Sequence, residues 1–516
     1  MAVASGSARA EPLVRLVHGL PWHGVSSLIG YRGRLWFANS VKFVNHNSAD
    51  LYSFDPATGK TRYEKHLFSQ DAGDPLIMGG LLYWPFEDSR FSPGHGEFMV
   101  TNGRDWGWHV IPAGRAFHTH TMAGASGTLY AALSSWSAKI AVSRDRGTSW
   151  KLYFEYPTPE RKVSRITSLA VLRGTVFAGL TTWYDDTSPK LLRVGSEGAA
   201  PVPGWPVGSE VTPTIAYKGW VYAVNKGPDG SALWRTDGQL VEKLRGPDGV
   251  IDSFASDGEQ LWAVTARRGS GSLWRTIDGS HWSPVHRFEA VRPLSVAVFG
   301  GAPYVGVLSD GGGELWGPEK AVAPGFNAPI RDLPKSPRLS APRRQAALAA
   351  LDKVLADRNQ YRRLRFAVRP LALDRSKKTS DALIQRLSGP FPEGSARMFG
   401  RRRIATDRMA QWYLLWALAH NGQGRVPLRY LDIPWTSKPN RAEKYIQQPL
   451  AAAWAVARLN QRDRATLSAL IKRLDRPGDP KWLTGDMVGA LTDLTGKRFG
   501  YDVGAWRRWW RDRPDP

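Results

Sequence analysis

The chain has 516 residues, a formal net charge of +24, 23 tryptophans and no cysteine. The absence of cysteine excludes disulfide bonds, thiolate metal ligands and a cysteine nucleophile. No stretch approaches the roughly 18 consecutive apolar residues of a membrane-spanning helix. The length suits several domains of about 150 residues each, or fewer if one of them is a large β-domain.

The first 20 residues carry a short motif relevant to location. Ala8-Arg9-Ala10, followed by Glu11-Pro12, has the small-x-small spacing of a signal-peptide cleavage site, although no apolar segment precedes it. The motif favours a periplasmic or secreted protein, and the alternative is an unstructured start on a cytoplasmic protein. We also expect residues 1–20 to form a tail that contributes a closing strand to the domain that follows.

Between residues 21 and 324 one pattern recurs every 40–47 residues. An aromatic residue lies inside a strand-like run, three or four positions after a glycine, with another short strand before that glycine. The aromatic positions are Trp36, Tyr83, Tyr130, Phe177, Tyr222, Trp262 and Tyr304. A repeat of this length is typical of propeller blades, which bury their faces by stacking around an axis. The sequence therefore predicts a seven-bladed β-propeller over residues 21–324.

Two turns carry a more specific signal. In Ser143–Trp150 an acidic residue, Asp145, can accept hydrogen bonds from turn amides, Gly147 permits a positive φ, and Trp150 folds beneath the turn. Thr276–Trp282 is a looser copy. The spacing resembles the Asp-box (BNR repeat) hairpin of sialidase-like β-propellers. The resemblance implies that these turns build blades on the side opposite the functional face.

Beyond the repeat, proline-rich residues 325–341 predict a linker, and residues 342–516 show the 3.6-residue apolar spacing of helices. The segment Met487–Trp510 resembles the closing unit of bacterial HEAT-like repeats. Gly496 is expected to end one helix and Asp502 to cap the next. The predicted fold class is therefore multidomain β + α, a seven-bladed β-propeller followed by a small all-α HEAT-like domain.

Loops on one face of the propeller hold the candidate binding residues. This face receives the starts of the inner strands and the loops after the second strands, and it combines both charges with exposed aromatic side chains. Glu87, Asp88 and Asp74 are also on it. The predicted binding residues are His46, His95, His118, His120, Trp136, Arg165, Trp183, Tyr184, Asp185, Asp252 and Arg292.

Enzymatic activity is the main alternative at this face. The sialidase resemblance implies three arginines around a substrate carboxylate, for which Arg165, Arg267 and Arg292 are available, with Tyr184 and Asp185 nearby. However, the Arg-Ile-Pro motif of that family is missing, and no Tyr/Glu pair stands at corresponding positions. Catalytic residues are therefore left unassigned.

A metal site is a further alternative. His118 and His120 share one face of a strand, and His46, His95 and Asp74 lie in neighbouring units. Two histidines are not a metal site, and a hydrogen-bonded pair lining the central channel is the favoured interpretation. The sequence therefore predicts no metal and no cofactor.

The positive charge is concentrated in the helical part. From Ala341 to the end the chain has 35 basic and 16 acidic residues. Such a surface favours nucleic acid, anionic lipid or an acidic partner, although an arginine-rich proteome produces the same excess. The candidate anion-binding residues are Arg362, Arg363, Arg401, Arg402 and Arg403.

These observations favour a non-catalytic binding or scaffold protein whose propeller face engages a protein or glycan partner. One alternative is an extracytoplasmic, sialidase-like glycan hydrolase acting at the same face. Another is anion or nucleic-acid binding by the basic helical domain. The oligomeric state is left open.

Overall fold

The computed structural model divides the chain into strands, from Leu13 to Pro318, and helices, from Ala341 to Arg511. No helix in the described part of the chain is long and apolar enough to cross a membrane. The structure describes residues 12–43, 48–89, 94–195, 198–267, 269–320, 323–326, 328–334, 338–397, 403–436 and 446–513.

The first half of the strand-rich region forms antiparallel meanders in which consecutive strands are neighbours. Its strands are β1 (Leu13–Val17), β2 (Gly24–Tyr31), β3 (Arg34–Ser40), β4 (Ala49–Asp55), β5 (Lys60–Leu67), β6 (Ser69–Ala72), β7 (Leu76–Met78), β8 (Leu81–Ser89), β9 (Gly96–Thr101), β10 (Trp106–Ile111), β11 (His118–Ala125), β12 (Thr128–Ser134), β13 (Ala138–Ser143) and β14 (Lys151–Glu155). The meanders are β2 to β5, β7 to β10 and β11 to β14, while β6 pairs separately with β8.

The second half continues in the same way. Its strands are β15 (Ser164–Leu172), β16 (Thr175–Thr182), β17 (Leu191–Gly195), β18 (Gly198–Pro201), β19 (Glu210–Tyr217), β20 (Trp220–Gly227), β21 (Gly230–Thr236), β22 (Val241–Leu244), β23 (Val250–Ser256), β24 (Leu261–Arg267), β25 (Ser270–Thr276), β26 (Ser283–Glu289), β27 (Arg292–Phe299), β28 (Ala302–Leu308) and β29 (Glu314–Pro318). The meanders are β15 to β18, β19 to β22, β23 to β26 and β27 to β29.

The meanders follow one another around a closed circuit. Contacts between inner strands run from β7 through β11, β15, β19, β23 and β27 to β2. The circuit closes at β6, where the Ala72 carbonyl accepts a 3.0 Å hydrogen bond from the Ser27 hydroxyl of β2. The N-terminal strand β1 pairs with β29, with Leu13 opposite Pro318 and Val17 opposite Leu315. This is the arrangement of a β-propeller, which leaves no long sheet edge at the junction of its first and last strands.

The aromatic positions of the repeat fill the space within and between these sheets. Trp36, Tyr83, Phe177, Tyr222, Trp262 and Tyr304 are buried. Tyr130 is partly buried against a neighbouring apolar cluster. Large buried rings of this kind remove apolar surface from water and hold adjacent sheets together.

The turn at Asp145 is built from its own side chains. The Ser149 backbone N–H donates to Asp145 Oδ1 at 2.9 Å, and the Ser149 hydroxyl donates to Oδ2 at 2.6 Å. Gly147 has a φ of +92°. Trp150 lies beneath the turn and donates from Nε1 to the Gly147 carbonyl at 3.0 Å. The carboxylate therefore supplies hydrogen-bond acceptors for turn groups that would otherwise lack a partner within the turn.

The helical region begins with α1 at Ala341, which has Pro342 in its first turn, where the missing N–H is not needed for helix hydrogen bonding. A 3₁₀ turn, Arg358–Arg363, and a hairpin of β30 (Ser395–Arg397) and β31 (Arg403–Ala405) accompany the helices. The helices are α1 (Ala341–Ala356), α2 (Leu364–Ala367), α3 (Arg369–Leu373), α4 (Lys377–Arg386), α5 (Thr406–Asn421), α6 (Arg429–Asp432), α7 (Gln448–Arg458), α8 (Arg464–Arg473), α9 (Lys481–Thr495) and α10 (Val503–Arg511).

Two predicted helix ends are confirmed. Gly496 ends α9 in the left-handed conformation, with a φ of 70°. Asp502 caps α10, accepting a hydrogen bond from the Ala505 backbone N–H at 2.7 Å. Trp506, on the inner face of α10, is fully buried.

The helices pack directly onto the first two sheets, and one apolar cluster continues across the boundary. Trp454 of α7 lies 4.9 Å from Trp108 and 5.8 Å from Phe68, measured between ring centroids. Helix α9 contacts β5. This contact surface is aromatic at its centre, as in a permanent interface.

Candidate binding site at the channel mouth

One end of the strand-rich ring gathers charged and aromatic side chains. The inner strands begin at this end, and the second strand of each antiparallel meander finishes there. His118, Arg165, Asp252 and Arg292 lie at or near inner-strand starts, and Glu87 lies near the end of β8. We call this region the channel mouth.

Glu87 and His118 form the centre of the acidic half. Glu87 Oε1 lies 3.5 Å from His118 Nδ1, and the Glu87 side chain is 24% exposed. Burial raises the pKa of Glu87 to about 7, with repulsion from Asp88 and Asp71 adding to the effect and Arg165 opposing it. Burial, with Arg165, lowers the pKa of His118 to about 3. At neutral pH the imidazole is therefore neutral and the carboxyl group is about half protonated.

The His120 ring packs against the His118 ring. The two rings are stacked, with centroids 5.1 Å apart and planes 16° apart. A 2.8 Å hydrogen bond joins His120 Nε2 to Ser134 Oγ. Burial and the neighbouring His118 hold the pKa of His120 well below its usual value. The pair is thus neutral at physiological pH, and its orientation is fixed by the adjacent strand β12.

Two further carboxylates lie beside Glu87. Asp71 faces Glu87 across the β6–β8 pairing, accepts a 2.8 Å hydrogen bond from Ser40 Oγ and forms an ion pair with Lys42. Burial raises the pKa of Asp74, and Lys42 partly offsets this effect. The acidic half therefore places three carboxyl groups near one lysine, and the charge of Asp71 adds to burial in raising the pKa of Glu87 and of Asp74.

The cationic half carries exposed rings. The Arg165 guanidinium lies 5.0 Å from the ring centroid of Trp183, which is 63% exposed. Arg292 Nη2 donates to Asp252 Oδ2 at 2.9 Å, and its guanidinium lies 4.7 Å from the ring centroid of Phe43, which is 72% exposed. Each arginine therefore makes a cation–π contact with an aromatic ring that is exposed to solvent at the rim.

Trp136 adds a third ring, 56% exposed, on the loop between β12 and β13. Its carbonyl accepts a 2.9 Å hydrogen bond from the Ser164 backbone N–H, which ties this loop to β15. Solvent-exposed tryptophans anchored by backbone hydrogen bonds give up little conformational freedom on binding a partner.

Asp185 stabilises the loop in which it lies. Its carboxylate accepts hydrogen bonds from Ser188 Oγ at 2.6 Å and from Lys190 Nζ at 2.9 Å. These bonds keep the pKa of Asp185 well below its usual value. The carboxylate builds the loop that carries Trp183, while Tyr184 is partly buried in it.

Two predicted binding residues are not part of the described mouth. His95 is 4% exposed and contacts Arg369 of α3, on the boundary with the helices. His46 lies outside the described residues. Conversely, Lys42 and Asp71 belong to the mouth but were not among the sequence candidates. Lys42 lies in the loop after β3 that the repeat defines, whereas no sequence pattern indicated Asp71.

The three arginines considered for a sialidase-like site have separate surroundings. Arg165 stacks on Trp183 and Arg292 pairs with Asp252. Arg267 pairs with Asp248. Within the residues that the structure describes, no group of three or more histidine, aspartate or glutamate side chains is arranged to hold a metal ion.

In the helical region, Arg362 and Arg403 line the same cavity, together with Arg358 and Arg397. Arg363 is exposed on the same 3₁₀ turn as Arg362 and does not line that cavity. Arg401 and Arg402 lie outside the described residues.

Comparison with models of protein families finds no match, and comparison with curated proteins finds none. Among solved structures, regucalcin, a calcium-binding protein from Agrobacterium tumefaciens strain C58, is 15% identical, with a TM-score of 0.35 over 51% of this chain and 94% of that chain. The computationally designed Ika8 protein is 12% identical, with a TM-score of 0.37 over 59% of this chain and 99% of that chain. Hydrazine synthase from Kuenenia stuttgartiensis is 12% identical, with a TM-score of 0.41 over 61% of this chain and 98% of that chain. None of these values is high enough to carry a statement about activity.

Proposed function

We propose that the chain is a binding or scaffold protein, in which a seven-bladed Asp-box propeller uses its channel mouth to engage a protein or glycan partner. The observation that carries this proposal is the rim of exposed rings. Phe43, Trp136 and Trp183 are all more than half exposed, and charged residues of both signs lie at the same end of the strands. Aromatic rings beside arginines and carboxylates are typical of recognition surfaces for peptides and sugars.

The finer fold assignment belongs to the same proposal. Grouping the strands into four-stranded meanders, with β1 completing the last one, supports a count of seven blades. The side-chain hydrogen bonds of Asp145 and Asp278 support the Asp-box type. The contacts of α7 with both α5 and α9 support a HEAT-like stack.

Substitution of one rim ring tests the proposal. We expect Trp183→Ala to weaken partner binding at least tenfold, because a central tryptophan contributes about 2 kcal/mol or more to such a contact. Glycan arrays and pull-downs with purified protein first identify the ligand class, and titration then measures affinity.

Ile277→Ala is the matched control, since Ile277 is 61% exposed on the β25–β26 turn at the opposite end of the sheets. Equal loss of binding in both variants, or none with Trp183→Ala, would contradict the assignment of the mouth.

Glycan hydrolysis at the mouth is the second candidate, favoured by one observation. A general acid needs a carboxyl group that is still protonated near neutral pH, and burial raises the pKa of Glu87 to about 7. If the wild type cleaves a glycan from the array, we expect Glu87→Gln to abolish cleavage and retain binding. A variant that still cleaves at the wild-type rate would remove Glu87 from the reaction.

A further inference from the structure

A cavity of about 400 Å³ in the helical region is lined by four arginines. The 3₁₀ turn supplies Arg358 and Arg362, and the β30–β31 hairpin supplies Arg397 and Arg403. The remaining described lining residues are Asn359, Ser395 and Ala396, none of which is acidic. The described part of the cavity therefore offers hydrogen-bond donors and positive charge.

The hairpin places like charges directly opposite each other. Arg397 and Arg403 are cross-strand partners in the β30–β31 pairing. Like charges in this position destabilise a sheet. The hairpin is nevertheless held firmly, because Ala396 and Ile404 are buried and β30 packs against the 3₁₀ turn, whose Tyr361 is also buried. Apolar burial thus keeps the arginines together against their repulsion.

Hydrogen bonds to neighbouring backbone and hydroxyl oxygens orient two of these side chains. Arg403 donates to Ser395 Oγ at 2.9 Å and to the Ser395 carbonyl at 2.6 Å, and Arg358 donates to the Glu393 carbonyl at 3.4 Å. Within the described residues, Arg358, Arg362 and Arg397 form no ion pair. Guanidinium groups that have no ion pair in the described part of the chain are suited to a bound anion.

We propose that this cavity binds a small phosphate-bearing compound with two adjacent phosphate groups. One phosphate carries up to about two negative charges, so two adjacent phosphates supply enough negative charge for a cavity lined by several arginines. A guanidinium group matches phosphate oxygens in bidentate geometry. The volume lies within the range of small-molecule sites, about 300–1,000 Å³, and the four arginines meet in one depression, whereas a nucleic-acid strand requires an extended track. The site is independent of the channel mouth.

Inorganic pyrophosphate is the probe for the full-length protein. Calorimetric titration at constant ionic strength is expected to give saturable binding to the wild type. Arg358→Gln and Arg397→Gln are expected to weaken it at least tenfold. Arg363→Gln is the matched control, because Arg363 is exposed on the same turn and does not line the cavity. Absence of saturable binding, or equal affinity in Arg397→Gln and the wild type, would overturn the proposal.

Melting curves separate lost binding from lost folding. Without anion, Arg397→Gln is expected to melt at or above the wild-type temperature, because it removes cross-strand repulsion. Pyrophosphate should then raise the melting temperature of the wild type and of Arg363→Gln, and leave that of Arg397→Gln unchanged. A similar rise in all three proteins overturns the site.

A second experiment determines whether the phosphate groups belong to a lipid or to a soluble compound. Phosphatidylcholine vesicles with and without phosphatidate are compared with soluble pyrophosphate. Arg397-dependent binding to phosphatidate vesicles that pyrophosphate displaces supports the same site with a lipid phosphate as its source. Binding of pyrophosphate alone supports a soluble ligand. Binding of duplex DNA that pyrophosphate does not displace, without any binding of pyrophosphate itself, overturns the proposal in favour of a nucleic-acid surface.

Discussion

Glu87 is held where its charged form is opposed from several sides. Asp71 faces Glu87 across the β6–β8 pairing, and the Glu87 side chain is only 24% exposed. A carboxyl group whose pKa is raised to about 7 in the folded protein binds its proton more tightly than in the unfolded chain. Its contribution to stability is therefore fully present below about pH 4.5 and is lost as the pH rises through 7.

We expect Glu87→Gln to remove this pH dependence. Between pH 5 and pH 8 the wild type should lose up to about 3 kcal/mol of unfolding free energy relative to the variant, as a rise in the Glu87 pKa from 4.5 to about 7 implies. Urea denaturation at the two pH values measures the difference. Glu160→Gln is the control, because the Glu160 side chain is 91% exposed. A Glu87→Gln curve parallel to the wild type would contradict the raised pKa.

At the scale of secondary-structure elements, helix α9 packs closer to strand β5 than a helix with larger side chains at the contact could. A Cβ atom at Gly489 would lie 2.5 Å from the Cβ atom of His66 on β5, and one at Gly485 would lie 2.5 Å from the Tyr501 hydroxyl. Glycine inside a helix normally weakens it by about 1 kcal/mol relative to alanine. Here it permits the close approach of α9 to β5.

We therefore expect Gly489→Ala to destabilise the protein by about 1–3 kcal/mol, the usual cost of overpacking, in spite of the better helix propensity of alanine. The clash is with a backbone-fixed atom, which cannot rotate away. Chemical denaturation gives the measurement. Gly504→Ala in α10 is the matched control, because only the ends of Arg508 and Asp502 lie near its Cβ position, at 3.2 Å. A stabilising Gly489→Ala would show that α9 can move outward.

Local patterns in the sequence predicted the strands and helices better than they predicted the contacts between them. The aromatic repeat predicted strands and the 3.6-residue spacing predicted helices, because both patterns arise within a few residues. The ends of α9 at Gly496 and of α10 at Asp502 follow from capping chemistry alone. The same logic grouped His118, Arg165 and Arg292 at one end of the strands. It could not place Asp71, which reaches Glu87 through a strand outside the repeat, or His95, which packs on a helix more than 270 residues away.

At the scale of the molecule, one buried node joins the sheets to the helices. His66 donates from Nδ1 to Asp50 at 2.7 Å and from Nε2 to Asp486 of α9 at 2.9 Å. Tyr501 also donates to Asp50, at 2.9 Å. Burial alone would lower the pKa of His66, but the hydrogen bonds to Asp486 and Asp50 raise it to about 9. The imidazolium therefore donates a hydrogen bond to each of two buried carboxylates from different parts of the chain.

We expect stability to depend on this charge in the alkaline range. Because the folded pKa exceeds the unfolded value of about 6.5, the contribution of His66 is complete below pH 6.5 and is lost as the pH rises through 9. His66→Gln should lower the unfolding free energy at pH 6 by about 3–5 kcal/mol, since it removes the positive charge that lies between two buried carboxylates.

Denaturation curves from pH 6 to pH 10 measure both effects. His281→Gln is the control, because the His281 side chain is 92% exposed and its pair with Asp278 contributes little. A wild-type slope that persists in His66→Gln would assign the pH dependence to another group.

The pairing of β1 with β29 has a consequence for how the chain is made. Leu13 leaves the ribosome before the other strands of the ring, and its partner Pro318 follows only after them. The earliest strand is therefore the last to find its neighbour, and its loop-closure entropy is among the largest in the fold. During translation the growing sheets expose an open edge that can pair with other chains, so assembly is most vulnerable just before Pro318 emerges.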